Sequence, residues 1–115
     1  MQLFRVIGPV VVPERHPFLA GRTLLLLERL RPDGTAEPAH HRVAVDTIGA
    51  GPGDLVLALE EGNSARQIFA DAGAPVRHVV VGFVDAVELD GKITLRNGRD
   101  GVVVLPARAN PEPAR

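Results

Sequence analysis

The loop from Gly49 to Gly53 has the residue types that come closest to a binding site in this chain. It reads Gly-Ala-Gly-Pro-Gly, and backbone N–H groups in a glycine-rich loop can cradle a phosphate. However, the loop lacks the Gly-Lys-Ser/Thr ending of a phosphate-binding loop, no helix follows it directly, and Pro52 removes one donor. We therefore favour a tight structural turn, in which glycine permits positive φ or the close approach of a neighbouring backbone.

The histidines and carboxylates are weaker candidates for chemistry. His40 and His41 are adjacent, and neighbouring residues of a strand point to opposite faces, so the pair does not favour chelation of one metal ion. The other candidates have no nucleophile or partner at a useful spacing: His16, His78, Asp46, Asp54, Asp85 and Asp90. We expect packed or solvated histidines and carboxylates in turns and caps, and therefore no catalytic, metal or cofactor site and no enzyme.

Size and composition narrow the function further. The chain has 115 residues, a formal net charge of −1, no cysteine, no tryptophan, no tyrosine and four phenylalanines. This length fits one domain, and the charge provides no field to attract nucleic acid or an anionic membrane. The beginning of the sequence has no signal-peptide pattern, and no apolar run is long enough to span a bilayer. We expect a soluble cytoplasmic protein.

The apolar runs and turn signals predict an all-β fold with one short helix. The predicted strands are Leu3–Val12, Thr23–Leu30, His41–Val45, Leu55–Leu59, Val76–Leu89, Lys92–Leu95 and, pairing back, Val102–Leu105. Gly8-Pro9 predicts a bulge in the first strand, and Asp90-Gly91 predicts a two-residue hairpin turn. We expect a five-stranded barrel similar to the oligonucleotide-binding type, with an extra C-terminal hairpin. Residues 1–97 would form the barrel domain, and residues 98–115 a C-terminal strand and a disordered tail.

The predicted helix lies between the fourth and fifth strands. Ser64 is a good N-cap and Gln67 stands three residues later, as in a capping box. Its apolar face would consist of Ala65, Ile68, Phe69 and Ala72. Gly73 and Pro75 would stop it.

Two strands lack the alternation of a half-exposed sheet. Leu24–Leu27 and Val79–Val84 are apolar on both faces, whereas a strand with one face in water alternates apolar and polar residues. One short helix cannot cover both strands, so we expect other copies of the chain to do so in a homo-oligomer.

An ordered set of motifs resembles the bacterial microcompartment vertex proteins of the EutN/CcmL type. The motifs are Met1-Gln2-Leu3, Asp46-Thr47-Ile48-Gly49-Ala50-Gly51, Val56-Leu57, Gly62-Asn63-Ser64-Ala65-Arg66-Gln67, Pro75-Val76 and Val81-Gly82-Phe83-Val84-Asp85. The resemblance covers roughly Met1 to Leu95. Asn63-Ser64 replaces the frequent Ser-Ser, and Arg77 stands where the family often has Asp. Nothing carries over to the stretch after Arg99.

The resemblance implies a homopentamer that caps the five-fold vertices of a polyhedral shell, whose faces are hexagonal tiles of another protein family. It implies that Ile48, Gly49, Ala50 and Gly51 lie toward the five-fold axis, near a narrow opening. It implies that Gly62, Asn63, Ser64, Ala65 and Arg66 lie at the rim that faces the tiles. The alternative is a nucleic-acid-binding barrel, which would need a basic groove and exposed aromatic side chains.

Overall fold

The computed structural model describes residues 1–13, 16–71, 76–98 and 101–105, and the elements below belong to these residues. The elements are β1 Gln2–Val10, β2 Leu24–Leu30, β3 Ala36–Asp46, β4 Leu55–Leu59, α1 Gly62–Phe69, β5 Val79–Phe83, β6 Ala86–Leu89, β7 Lys92–Gly98 and β8 Gly101–Val104. A short 3-10 turn, Pro17–Leu19, precedes β2.

Five strands form a closed barrel in the order β1-β2-β3-β5-β4. The neighbouring strands are antiparallel except β3 and β5, which are parallel and pair only at Val45 with Val79 and at Asp46 with Val80. Helix α1 lies in the connection from β4 to β5. Strand β4 and helix α1 together form the crossover between β3 and β5, because parallel neighbours cannot be joined by a hairpin. The predicted five-stranded barrel with a helix after its fourth strand is therefore confirmed.

Among the described residues, three clusters of buried side chains make up the core. The central cluster inside the barrel consists of Phe4, Val6, Leu25, Leu27, Ala44, Val56, Ala58 and Val80. A second cluster, which includes Leu24, Val45 and Val79, packs against α1 through Ala65. A third cluster, Leu30, Leu55 and Leu95, joins the barrel to a three-stranded sheet of β6, β7 and β8.

Two predicted local features are confirmed. The register of β1 against β2 shifts between Val6 and Gly8, which is the predicted bulge. Asp90 and Gly91 both have positive φ, 53° and 79°, as a two-residue hairpin with the twist of a β-ribbon requires. Strand β8 pairs with β7, so the last predicted strand does fold back.

The single strand predicted from Val76 to Leu89 is wrong, because the chain forms two strands in different sheets there. After β5 the Val84 N–H still donates to the Leu55 carbonyl of the barrel. One residue later, the Asp85 carbonyl accepts from the Asn97 N–H of the second sheet. The backbone thus changes its partner between these two residues, which an uninterrupted apolar run does not reveal.

The third strand begins earlier than predicted. It starts at Ala36 rather than His41, and Ala36 pairs with Leu30 beyond an irregularity in the register. The sequence does not predict a strand here, because proline is rare within strands except at edges and bulges. Ala39, next to Pro38, also has a positive φ of 62°, which is unusual in a strand.

The apolar runs are better covered within one chain than we expected. Leu24, Leu25 and Leu27 are buried, and so are Val79 and Val80. Neighbouring residues on both faces are buried because the barrel interior covers one face and α1 with the 3-10 turn covers the other. The chain itself therefore covers part of both runs, whereas Leu26 stays half-buried and Phe83 stays exposed on the outer wall.

The predicted disordered tail, together with Ala72, Gly73 and Pro75 of the predicted helix end, lies outside the described residues. The division of the chain at residue 97 stays a prediction.

His78 lies just before β5 in a charged cluster. Its Nε2 is 3.7 Å from Glu60 Oε1, and the same oxygen is 3.5 Å from Arg42 Nε. Burial lowers the pKa of His78 below the ordinary value of 6.5; Glu60 opposes this, and Arg42 and Arg77 add to it. The folded protein therefore favours the neutral imidazole.

We expect this histidine to make the free energy of unfolding depend on pH. As the pH falls through about 6.5, the histidine of the unfolded chain takes up a proton before His78 does in the folded chain. The unfolded state is then favoured, so His78 makes the protein less stable at pH 5.5 than at pH 7.5. Urea unfolding at these pH values should show a flatter pH dependence for His78→Gln. An equal dependence in both proteins would contradict the assignment.

Candidate functional site

The loop after β3 is organised by the carboxylate of Asp46, the last residue of that strand. Asp46 Oδ1 accepts from the Ile48 N–H at 3.1 Å, and Oδ2 accepts from the Ala50 N–H at 2.9 Å. A short carboxylate at the start of a turn is suited to bind backbone N–H groups two and four residues later. We call residues 47–53 the glycine loop.

The other end of the glycine loop is held in the same way. Asp54 Oδ2 accepts from the Gly51 N–H at 2.8 Å, and the Thr47 hydroxyl donates to the Val80 carbonyl of β5 at 2.7 Å. The two carboxylates thus occupy three of the loop's backbone donors, which leaves those donors unavailable to a phosphate. The predicted structural turn and the predicted turn roles of Asp46 and Asp54 are confirmed.

The four predicted axis residues differ in their packing. Ile48 and Ala50 pack against the central cluster and anchor the loop to the barrel. Gly49 has a φ of +79°, which favours glycine, and a Cβ built at Gly49 or Gly51 would have no other atom within 4 Å. The loop therefore turns two side chains inward and presents bare backbone on its open side.

Helix α1 begins earlier than predicted, because Glu61 rather than Ser64 is the N-cap. Glu61 Oε1 accepts from the Ser64 N–H at 2.8 Å and from the Ser64 hydroxyl at 2.7 Å. These hydrogen bonds lower the pKa of the Glu61 carboxyl below its ordinary value. The proposed capping box of Ser64 and Gln67 is therefore wrong: Ser64 stands at the third helical position, where it donates to the cap.

The end of α1 also differs from the prediction. The helix stops at Phe69, and Ala70 takes a left-handed conformation with φ 53°. The Ala70 N–H donates to the carbonyls of Arg66 and Gln67, which satisfies two carbonyls of the last turn. A left-handed alanine in this position carries no sequence signal as strong as glycine.

The predicted rim residues are not equally exposed. Ala65 is fully buried in the cluster beneath α1 and anchors the helix. The Arg66 guanidinium lies over Gly62, where an added Cβ would be 3.1 Å from its Nη1. Ser64 is half-buried beside the cap, and for Asn63 the structure describes the backbone alone. The structure places the glycine loop and α1 against different clusters, so it does not bring the two candidate sets together.

Sequence reasoning missed a contact that ties α1 to the loop before β2. The guanidinium of Arg22 lies 4.2 Å from the ring centre of Phe18 and 4.6 Å from that of Phe69. The rings meet edge to face at 5.1 Å, and Arg22 Nε donates to the Phe18 carbonyl at 2.9 Å. Cation–π contacts of this kind stabilise a packed surface element. Arg22 and Phe69 are 47 residues apart in the sequence, so no periodic pattern of residues could predict their contact.

Of the four phenylalanines, all within the described residues, Phe83 alone is exposed, whereas Phe4 is buried and Phe18 and Phe69 meet edge to face. In the part of the chain that the structure describes, no three potential ligands cluster as a metal would need. No helix among those same residues has the length and apolarity to cross a membrane.

We expect Asp46→Ala to destabilise the protein by about 1–3 kcal/mol, because two backbone N–H groups in a half-buried loop lose a charged acceptor. Urea unfolding at a fixed protein concentration would measure the change. Asp46→Asn retains one acceptor oxygen and should fall between Asp46→Ala and the unmodified protein. A free energy of unfolding unchanged by Asp46→Ala would show that the carboxylate does not hold the loop.

Comparison with known proteins relates the barrel to one family. The family model described as "Ethanolamine utilisation protein EutN/carboxysome" matches residues 1–85. The chain is 44% identical over 90 residues to the bacterial microcompartment shell vertex protein PduN of Salmonella typhimurium, a match that covers 76% of this chain and 98% of that protein. It is 41% identical over 93 residues to the shell vertex protein EutN of Escherichia coli, covering 81% of this chain and 96% of EutN.

Solved structures agree with the sequence matches. CcmL of Gloeobacter violaceus superposes with a TM-score of 0.73 at 36% identity, over 81% of this chain and 94% of CcmL. GrpN of Rhodospirillum rubrum, described as a pentameric microcompartment shell protein, superposes with a TM-score of 0.69 at 38% identity, over 77% of this chain and 99% of GrpN. The barrel, its strand order and these matches lead to one conclusion: the chain belongs to the EutN/CcmL family.

Proposed function

We propose that this protein is a structural shell protein, five copies of which form a ring that caps a five-fold vertex of a polyhedral bacterial microcompartment. The observation that carries the proposal is that its barrel matches nearly the full length of relatives named shell vertex proteins, one of them described as pentameric. The role is architectural rather than catalytic. It would locate the protein in a shell within the bacterial cytoplasm.

The outer wall of the barrel has two apolar patches that a ring would cover. The first, on β1, β2 and β3, consists of Ile7, Leu26 and Val43. Leu26 pairs with Val43 and Gly8 across the strands. Its neighbours Leu25 and Leu27 fill the barrel, so Leu26 and Val43 point outward, and Ile7 and Val43 are exposed.

The second patch lies on β1, β4 and β5. Leu3 pairs with Leu57, and Leu57 pairs with Gly82, on the face opposite the buried Phe4 and Val56. A Cβ built at Gly82 would have no other atom within 4 Å, so a second backbone can approach there closely.

The arrangement of the patches fits a ring better than a two-fold dimer. Arg5, which is ion-paired with Glu28, lies on β1 between Leu3 and Ile7 and separates the two patches. A two-fold dimer joins the same patch on both subunits, whereas a ring joins one patch to a different patch on the next subunit. Two unlike apolar patches on one barrel therefore favour head-to-tail contacts.

We place Ile48, Gly49, Ala50 and Gly51 toward the five-fold axis of that ring. Five copies of a loop can converge only where little side-chain volume intervenes. The anchoring of Ile48 and Ala50 on the barrel leaves the bare backbone of Gly49 and Gly51 on the open side of the loop, which supports this placement.

We place the N-terminal part of α1, residues 62–66, at the outer rim, where the partners would be hexagonal shell tiles. Glu61 and Arg66 give this part of the surface one negative and one positive charge. The fully buried side chain of Ala65 fixes the distance between this part of α1 and the barrel. Nucleic acid is the less favoured partner, because a single exposed phenylalanine provides no stacking surface for successive bases.

Gly51→Leu should abolish the five-chain ring and leave the barrel folded. Gly51 lies outside the left-handed region, and apart from its two neighbours in sequence no atom of the described chain is within 4 Å of an added Cβ, so a side chain there has open space in the single chain. Native mass spectrometry should give five chains for the unmodified protein and single chains for Gly51→Leu. Gly51→Ala is the matched control and should keep the ring. If Gly51→Leu retains five chains, the axis placement fails. Gly49 is a poorer test site, because its positive φ strains any other residue.

Arg66→Ala should leave the ring intact and weaken shell closure, because it removes a cation from the rim. The matched control is Gln67→Ala, which changes an exposed neighbour on the same helix. Electron microscopy of shells produced with the hexagonal tile proteins would show open or irregular shells for Arg66→Ala. Normal closure with Arg66→Ala would contradict the rim assignment.

A further inference from the structure

The exit of the glycine loop is held on its barrel side by β1. The Gly53 N–H donates to the Val6 carbonyl at 2.7 Å, and the Val6 N–H donates to the Asp54 carbonyl at 2.9 Å. These two bonds extend the pairing of β1 with β4 into the loop. They would fix the loop exit from one side only.

The second sheet holds the same stretch from another side through Asn97. The Leu55 N–H donates to Asn97 Oδ1 at 3.1 Å, across 42 residues of sequence. Leu55 is fully buried, so its N–H would otherwise be a buried donor without a partner, which is costly. The Asn97 N–H donates to the Asp85 carbonyl at 2.9 Å, and this bond orients the residue.

Strand β8 reaches the loop directly. A Cβ built at Gly101 would be 3.4 Å from the Gly53 carbonyl oxygen and 3.5 Å from its Cα. Gly101 has a φ of +121° and Gly53 a φ of +88°, so both sides of the contact use conformations that favour glycine. The first residue of β8 therefore lies against the backbone of the glycine loop.

Both contacts come from residues that follow the family match. The family model ends at residue 85, whereas Asn97 and Gly101 lie in β7 and β8. The match to EutN covers 81% of the chain, which leaves about a fifth without a counterpart there. The contacts thus join the part of the chain beyond the family match to the loop that bears the family's motif.

We propose that Asn97 and β8 form a brace that sets the position of the glycine loop, and through it the width of the opening at the centre of the ring. The second half of this inference rests on the proposed function. Asn97 is a positioning residue: it acts on the loop through the backbone of Leu55 and need not touch anything that passes the opening.

Hydrogen–deuterium exchange of the assembled protein tests the brace by itself. Asn97→Ala should speed exchange of the amides in residues 51–55 by about tenfold, because the Leu55 N–H loses its acceptor. Asn97→Asp keeps an acceptor oxygen and should restore slow exchange. Amides of α1 should be unaffected in both variants. Unchanged exchange in residues 51–55, or an equal increase in α1, would overturn the brace.

A pair of shortened chains provides a second test that does not depend on the Asn97 variants. A chain that ends at Gly98 lacks β8 and should show faster exchange in residues 51–55, whereas its α1 amides should exchange as in the full chain. Faster exchange in α1 as well would overturn a specific role of β8, because it would indicate general destabilisation. A chain that ends at Leu105 keeps β8 and should behave as the full chain does. Equal exchange in the two shortened chains would overturn the role of β8.

A cross-linking experiment tests the effect of the brace on the opening and distinguishes it from the axis placement of the glycine loop. The chain has no cysteine, so Gly51→Cys introduces a single thiol on the open side of the loop. A short bis-maleimide should link neighbouring chains through this thiol, and Asn97→Ala should slow the linking several-fold. Linking at the same rate in both backgrounds would overturn the effect on the opening. No linking in either, together with the expected exchange result, would support the brace and overturn the axis placement of the proposed function.

Discussion

The barrel depends on the short parallel contact between β3 and β5. Two residue pairs, Val45 with Val79 and Asp46 with Val80, close the sheet on itself. The glycine loop is fixed at this contact as well. The Thr47 hydroxyl donates to the Val80 carbonyl, and the Asp46 carboxylate accepts from the first backbone N–H groups of the loop. Helix α1 lies in the crossover that makes a parallel contact possible. Closure of the barrel, the shape of the loop and the position of the helix therefore share one structural cause.

Much of this fold could be predicted from sequence because local rules apply to it. The apolar runs, the bulge near Gly8 and the Asp90-Gly91 turn each depend on a few neighbouring residues. The failures share a different cause. The break after Val84 follows from a change of hydrogen-bond partner, and the burial of Leu24 follows from side chains of α1 and the 3-10 turn. Such long-range contacts leave no periodic trace in the chain.

The candidate sites illustrate the same limit. The residue types of the glycine loop indicated a turn, and the structure adds the two carboxylates that hold it. The helix cap was misplaced by three residues because Ser64 satisfies the usual pattern, yet Glu61 can bind both of its donors. A homo-oligomer was predicted from two apolar runs that the chain itself partly covers, whereas the apolar patches of the outer wall also include Val43 and Leu57, which lie outside those runs. The sequence pattern therefore predicted self-association from residues of which only some are exposed.

The closing contact also bears on the order of events during folding. Thr47 and Val80 are 33 residues apart, so β3 and β5 meet only after the chain between them has been drawn in, at an entropic cost. β1, β2 and β3 can pair earlier as neighbouring hairpins, and until closure the free edge of β3 is open to other chains. Pro38 and the left-handed Ala39 interrupt that edge. The irregularity at the start of the strand thus makes this part of the β3 edge a poor template for pairing with another chain.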